Sequence, residues 1–163
     1  MRIAAALLAL TALSACGLRP LYGGAESAPR AMLGAVEVAP ITGQDGWLVA
    51  KELEDRFSAV SGETPRYRLE VRLDDSITGL GVRRDDSITR ERRTLRARYQ
   101  LVDLTTGAVV LDATAGSDAG VDVVGSEYAT IAAEQTALER LTGIVADQIV
   151  ARLALYASRT SNP

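Results

Sequence analysis

The feature that most limits the folds open to this chain is a strict alternation of apolar and charged residues. It runs over residues 66–73 and returns over residues 94–101, within a stretch of 88–104. Because successive side chains of a strand point to opposite faces, both stretches predict strands with one buried and one exposed face. The first strand can continue through Ile77, and the segment from Asp103 to Gly107 predicts a hairpin turn into a third strand over residues 109–113.

The remaining segments divide into two helices, an initial strand and a loop. Residues 114–125 are small, acidic and glycine-rich, which favours a loop, and residues 31–41 predict a strand that ends at Pro40. Helical spacing over residues 46–60 follows an expected N-cap at Asp45, and a longer helix over 127–157 follows an expected N-cap at Ser126. The apolar stripe of the first helix is Val49, Leu53, Phe57 and Val60; that of the second is Ile131, Leu138, Leu141, Val145, Ile149, Leu153 and Tyr156.

The order of these elements predicts the fold class. Strand, helix, three strands and helix, with one apolar sheet face and two amphipathic helices, indicate an α+β domain. We expect a two-layer sandwich, in which two helices pack on one face of a mostly antiparallel four-stranded sheet. The predicted organisation is a leader over 1–15, a lipidated N-terminus and tether over 16–30, one domain over 31–158 and a polar tail over 159–163.

The first residues have the features of an export signal for a lipoprotein. Arg2 precedes an apolar run from Ile3 to Leu13, which is shorter than the roughly 20 residues that span a bilayer. The sequence Leu-Ser-Ala-Cys that ends at Cys16 resembles a lipobox, in which the thiol takes a diacylglyceryl group and the freed amine is acylated. Cys16 is the single cysteine of the chain, and lipidation explains a thiol without a partner. Gly17 stands where an aspartate would resemble an inner-membrane retention signal, so the expected destination is the outer membrane, facing the periplasm.

Charge and composition restrict the chemistry. Without Arg2 the chain keeps 17 basic and 21 acidic residues, a net charge of −4, which argues against a general polyanion or nucleic-acid binder. Ten arginines nevertheless fall within residues 66–98, and arginine is the side chain that grips carboxylates and phosphates in two places. The chain has no histidine, and with Cys16 lipidated no free thiol remains, so we expect neither an enzyme, a metal site nor a cofactor beyond the covalent lipid.

In three places the chain resembles the LptE-type lipopolysaccharide-assembly lipoproteins, in their alphaproteobacterial form. These are the segment Cys-Gly-Leu-Arg-Pro-Leu-Tyr-Gly that begins at Cys16, the arginine-rich strand pair, and Val-Val-Gly-Ser-Glu-Tyr-Ala over 123–129 with the helix that ends near Tyr156. The resemblance implies two helices on a four-stranded sheet and a non-catalytic role. It also implies that the protein lies in the lumen of a large LptD-type outer-membrane β-barrel, helps that barrel to assemble, binds lipopolysaccharide and assists its insertion into the outer leaflet.

The outward-facing arginines are the candidate contact residues. Lipopolysaccharide carries phosphates and carboxylates that guanidinium groups at alternate strand positions can meet in a row. Three interpretations stay open: contact with lipopolysaccharide, contact with an acidic barrel interior, and a solvated face that discourages edge pairing, partly neutralised by acids such as Glu70. The candidates are Arg66, Arg68, Arg72, Arg90, Arg92, Arg96 and Arg98.

The paired aspartates and the short tether bear on two alternative functions. The adjacent pairs Asp74–Asp75 and Asp85–Asp86 favour turn residues or arginine partners over catalysis, because neighbouring side chains of a strand diverge. The alternative function is a periplasmic lipoprotein that regulates a cell-wall synthase or a transport complex. The short stretch of about 14 residues between Cys16 and the first predicted strand argues against it, since such a reach needs a longer tether.

Overall fold

The structure, a computed structural model, describes residues 28–60, 62, 64–82 and 88–161. Within them the chain forms three helices and four strands. In chain order these are α1 (Ala28–Gly34), β1 (Val36–Val38), α2 (Gln44–Ser58), β2 (Tyr67–Val82), β3 (Ile88–Asp103), β4 (Val109–Asp122) and α3 (Glu127–Thr160).

The predicted α+β class and its four-stranded sheet are confirmed. The strands lie in the order β1, β2, β3, β4, with β2, β3 and β4 antiparallel to their neighbours. The short β1 runs parallel to β2, so the sheet is mixed. The helices cover the face to which the odd-numbered residues of β2, β3 and β4 point, and we call the opposite face the outer face.

The start of the domain differs from the expected strand over 31–41. Ala28–Gly34, at the predicted junction of tether and strand, is helical, and the strand is limited to Val36–Val38. Pro29 lies in the first turn of α1, where a missing N–H costs no helical hydrogen bond, and Leu33 is almost fully buried. Burial of this short apolar turn against α3 therefore decides the local conformation.

The predicted loop over 114–125 is wrong for most of its length, because β4 continues to Asp122. Its outward positions include Asp118 and Asp122, and Ala115, Ala119 and Val121 are buried beneath α3. Glycine and aspartate lower strand propensity, but pairing with β3 on one side and burial of one face outweigh that local preference. The predicted hairpin turn between β3 and β4 is confirmed, with Gly107 at a φ of 69°, where glycine is favoured.

The first long helix, α2, begins two residues earlier than expected. Its N-cap is Gly43, at a φ of 94° and without a side-chain cap, so the prediction of Asp45 as the N-cap is wrong. The predicted buried stripe is present in Val49, Leu53 and Phe57. The stripe repeats every four residues and packs α2 against the sheet and α3.

The last helix, α3, supplies much of the core. Ser126 caps it as predicted, and its Oγ accepts a hydrogen bond from the Ala129 N–H at 3.5 Å. The predicted stripe is buried from Leu138 to Leu153, whereas Ile131 is 55% exposed and lies outside it. Buried residues recur at every fourth position, whereas one turn of an α-helix has 3.6 residues. The buried stripe therefore winds gradually around α3.

Arg56 connects the two long helices through several hydrogen bonds. Arg56 of α2 donates to Asp147 at 2.7 Å and to the Gly143 carbonyl at 3.2 Å, both on α3, and it also pairs with Glu52 at 2.6 Å. These bonds fix the position of α2 beside α3 above the sheet. Among the described helices, none combines the length and apolar character needed to cross a membrane.

Candidate functional site

The structure gathers the candidate arginines on the outer face of the sheet. Six of them occupy even-numbered positions of β2 and β3, and Arg66 immediately precedes β2. The guanidinium of Arg66 lies 5.4 Å from the ring centre of Tyr67, which places this side chain at the end of the sheet. The predicted common face is therefore present, with Arg66 at its border.

Five of the seven candidates are already paired with an acid. Each guanidinium lies within 4 Å of a carboxylate oxygen, and three of the acids belong to β4. The pairs are Arg66–Asp103 at 3.7 Å, Arg68–Glu37 at 2.8 Å, Arg90–Asp122 at 3.0 Å, Arg96–Asp118 at 3.0 Å and Arg98–Asp112 at 2.9 Å. Glu70, the acid expected to neutralise part of the face, lies opposite Gln100 and forms no ion pair within the described residues.

The pKa values of two acids of β4, Asp112 and Asp118, are lowered by these contacts. Hydrogen bonds donated first by Arg98 and then by Gln100 lower the pKa of Asp112. The pKa of Asp118 is lowered chiefly by the hydroxyl of Thr94, which donates at 2.9 Å, and further by the charge of Arg96. Most of the candidate arginines on the outer face are therefore neutralised by a neighbouring acid.

Arg72 differs from the paired arginines. It is exposed, lies directly opposite Arg98 on β3, and forms no ion pair or hydrogen bond within the described part of the chain. It lines an open depression of about 650 Å³ together with Arg96, Arg98 and Asp74, and a second one of about 230 Å³. A like-charged neighbour at the opposite position makes an anion at this place favourable.

Arg92 is the other candidate without a direct acid partner in the described residues. It lies opposite Thr78 and Gly120, and its charge helps to lower the pKa of Asp118. Arg98 of β3 lies opposite Arg72, and Arg92 is six positions away from Arg98 on the same strand, which is roughly 20 Å. Arg72 and Arg92 are therefore two separate cationic positions.

The two adjacent aspartates at 74–75 diverge as predicted. Asp74 faces outward opposite Arg96, whereas Asp75 points to the helix side and pairs with Arg93. The second pair, Asp85–Asp86, lies outside the described residues, as does Cys16. Among the described residues no group of three or more acidic or thiol side chains is arranged to hold a metal ion.

Arg93 is a residue that the sequence analysis did not single out. It faces the helices, and its Nη2 lies 2.5 Å from Asp75 Oδ2 while Nη1 donates to the Glu134 carbonyl of α3 at 2.9 Å. Hydrogen bonding to Asp75 raises the pKa of Arg93 above its ordinary value. Arg93 therefore ties β2, β3 and α3 together.

A carboxyl pair lies close to this contact. The Oε2 atom of Glu91 is buried without a hydrogen-bond partner among the described residues. Burial, followed by the neighbouring carboxyl of Glu134, raises the pKa of Glu91. The odd position of Glu91 in the alternating strand is the sequence signal for an inward-facing acid.

The sequence and the fold both match those of lipoproteins. The family model LptE, described as lipopolysaccharide-assembly, matches residues 33–153. No curated protein sequence matches the chain. A solved structure of a candidate lipoprotein from Caulobacter crescentus CB15 is 25% identical, with a TM-score of 0.67 over 84% of this chain and 99% of that one.

Two more distant structures share the fold. The minor lipoprotein of Acinetobacter baumannii is 13% identical, with a TM-score of 0.60 over 75% of this chain and 92% of that one. The rare lipoprotein B of Shewanella oneidensis is 10% identical, with a TM-score of 0.60 over 78% of this chain and 98% of that one. At these identities the similarity establishes the architecture.

Proposed function

The chain belongs to the LptE family of lipopolysaccharide-assembly proteins, and on that premise we propose that it is a non-catalytic outer-membrane lipoprotein anchored through Cys16. In this proposal it fills and helps to assemble a large LptD-type β-barrel and assists the insertion of lipopolysaccharide into the outer leaflet. The family match over residues 33–153 supports the role in lipopolysaccharide assembly. The LptD-type barrel partner, the outer-membrane location and the contact residues are proposed here in addition to that role.

The position of Arg72 is the observation that carries the ligand assignment. A phosphate that approaches a paired arginine must displace a carboxylate, whereas Arg72 offers its guanidinium with no acid bonded to it among the described residues. Arg98 and Arg96 line the same depression and add positive potential, although their own acids and Asp74 offset part of it. We infer that Arg72 is the primary contact for a lipopolysaccharide phosphate and that the paired candidates contribute less.

The experiment compares two charge reversals in the lipidated protein in detergent. We expect Arg72→Glu to weaken binding of purified lipopolysaccharide by about tenfold, the effect of losing one charge-assisted contact. The matched control is Arg140→Glu, which makes the same change at an exposed position of α3, away from the outer face. Equal binding of Arg72→Glu and the native protein, or equal losses in both variants, contradicts the assignment.

The barrel assignment is tested separately by affinity purification from detergent-solubilised outer membranes. We expect the tagged lipoprotein to recover an LptD-type barrel in a stable complex. A triple reversal of Arg90, Arg92 and Arg96 tests whether the other end of the outer face contacts the barrel, with circular dichroism as the folding control. Recovery of a cell-wall synthase without a large barrel contradicts the proposed partner.

The anchor is tested by the mass of the native product. Diacylglyceryl and N-acyl groups on Cys16 together bury enough hydrocarbon for stable anchoring, whereas a single chain binds reversibly. We expect Cys16→Ser to abolish the incorporation of labelled fatty acid. Label that still enters this variant, or an unmodified sulfur in the native protein, contradicts the lipid attachment.

A further inference from the structure

Within the described residues, one edge of the sheet is open over most of its length. β1 pairs with β2 over Tyr67 to Leu69, and the Ala39 N–H donates to the Leu69 carbonyl at 2.9 Å, so the odd-numbered backbone groups of β2 point to that side. The register between β2 and β3 is regular from Tyr67 to Val82, and the even-numbered groups pair with β3. Beyond Leu69 the odd-numbered groups therefore point away from the sheet.

These groups have no partner within the described residues. Beyond β1, neither a strand, a loop nor a side chain of that part of the chain donates to or accepts from them. They form a row of alternating N–H donors and carbonyl acceptors, which is the template that a further strand pairs with. The residues that carry them are Val71, Leu73, Asp75, Ile77 and Gly79.

The opposite edge of the sheet is treated differently. On β4 the even-numbered groups point outward, and the side-chain amide of Gln148 binds Gly116 on both sides, accepting from its N–H at 3.0 Å and donating to its carbonyl at 3.3 Å. The outer side chains of that edge include Asp112, Asp118 and Asp122. A backbone bonded to a side chain is protected against strand addition. The outer side chains of both edge strands include charged groups, but no described side chain bonds to the outward backbone groups of β2 beyond β1.

We propose that the open edge of β2 from Val71 to Gly79 accepts an extended segment of another polypeptide as a fifth strand. The neighbouring side chains define its chemistry. On the helix side, Ile77 is 43% exposed and Leu73 is half-buried, and the carboxylate of Asp75 between them is paired with Arg93, which suits apolar side chains on the added strand. On the outer face, Arg72 adjoins the edge without an acid bonded to it, so a carboxylate of the added strand placed beside it supplies the missing charge.

This inference stands on the geometry of the edge and does not depend on a lipopolysaccharide ligand. The test uses the full lipidated protein in detergent and a synthetic peptide of alternating valine and threonine that is long enough to span Val71 to Gly79. A glutamate replaces the threonine that lies beside Arg72. Hydrogen exchange measured by NMR reports each amide separately. We expect the peptide to slow exchange at the five odd-numbered amides by about tenfold or more, because each gains a hydrogen bond.

Two comparisons separate strand addition from loose adhesion. Replacing the glutamate beside Arg72 by lysine leaves the peptide backbone unchanged, and we expect about tenfold weaker binding because the lysine charge then repels Arg72. In the protein, Ile77→Pro removes one edge N–H without touching the β3 ladder, and we expect it to abolish binding. Ile77→Thr is the matched control that retains both the β-branched shape and the N–H, and thermal unfolding checks that both variants fold.

Each other outcome overturns the proposal. Unchanged exchange at the β2 amides shows that the edge does not accept a strand. Protection of the β4 edge shows that the bonded edge is the receptive one. Protection that rises with protein concentration in the absence of peptide shows that the occupant is a second copy. Equal affinity for the glutamate and lysine peptides removes the role of Arg72.

Discussion

Replacing Arg93 by methionine tests whether the inward ion pair holds the β2–β3 hairpin to the helix layer. The side chains of Arg93 and Asp75 are 12% and 19% exposed, so water does little to compensate either charge once its partner is gone. The guanidinium makes a two-pronged contact with Asp75 and one hydrogen bond to the Glu134 carbonyl. Methionine keeps much of the volume and removes all of these bonds.

The expected magnitude follows from that geometry. Breaking a buried pair by removing one partner costs about 3–5 kcal/mol, and the residual exposure places Arg93→Met near the lower limit, at about 3 kcal/mol. The double variant Arg93→Met with Asp75→Leu leaves no unpaired charge and adds apolar surface. We therefore expect it to recover most of the loss, with an interaction free energy of about 2 kcal/mol in the mutant cycle.

The assay is urea unfolding of the chain that begins at Gly17, followed by circular dichroism, with all four members of the cycle measured together. Arg90→Met is the matched control, because its pair with Asp122 is 63% and 73% exposed and should be worth under about 0.5 kcal/mol. The reasoning is refuted if Arg93→Met costs no more than this control. It is equally refuted if the two losses at Arg93 and Asp75 simply add.

Three further perturbations have a defined sign. Because the pKa of Glu91 is raised, the native state holds a proton on this carboxyl at pH values above its ordinary pKa of 4.5, and stability falls as pH rises through the folded pKa. We expect Glu91→Gln to remove that fall and to stabilise the protein at pH 7 by roughly 1 kcal/mol, measured by urea unfolding. The lowered pKa of Asp112 adds to the free energy of unfolding above pH 3.8, and this contribution is lost as pH falls through the folded pKa. We expect Arg98→Gln to return the pKa of Asp112 toward 3.8, as measured by NMR titration. Leu141 is fully buried, and Leu141→Ala should cost about 3 kcal/mol in the same unfolding assay, while a loss under about 1 kcal/mol contradicts its place in the core.

The alternating strands and both long helices could be predicted because their patterns are consistent over many residues. Alternation over 66–73 and over 94–101 leaves one register that buries the apolar face. The same reasoning predicted the stripe of α2 and most of the stripe of α3. At Ile131 the prediction fails because the buried stripe winds around α3, so the first turns present a different side to the sheet.

The second half of β4 could not be predicted from local composition. Glycine, aspartate and, to a lesser degree, alanine have low strand propensity, and the pairing partner that stabilises this strand is β3 rather than a residue within the segment. The error had a consequence for the site, because Asp118 and Asp122 are the acids that neutralise Arg96 and Arg90. A loop assignment removes these acids from the face, and the arginines then look free.

The shared face of the arginines was predictable, but the identity of the two unpaired arginines was not. Which carboxylate meets which guanidinium depends on the register between β3 and β4, and that register shifts at Leu101 and Val102. Glu70 was a reasonable expected partner by position, yet it lies opposite Gln100. Only the paired strands show that Arg72 and Arg92 lack an acid partner within the described part of the outer face, and that Arg72 lies opposite the paired Arg98.

Arg72 lies where the outer face meets the open edge of β2, and this position couples the two proposals. A phosphate in the depression and a carboxylate on an added strand both need the same guanidinium, whose neighbour Arg98 is already bonded to Asp112. One guanidinium in a row of paired charges cannot neutralise both anions equally, so occupancy of the edge lowers the affinity of the face for phosphate, and the reverse holds by thermodynamic linkage. An added strand without a carboxylate at that position would leave Arg72 available, and the two events would then be independent.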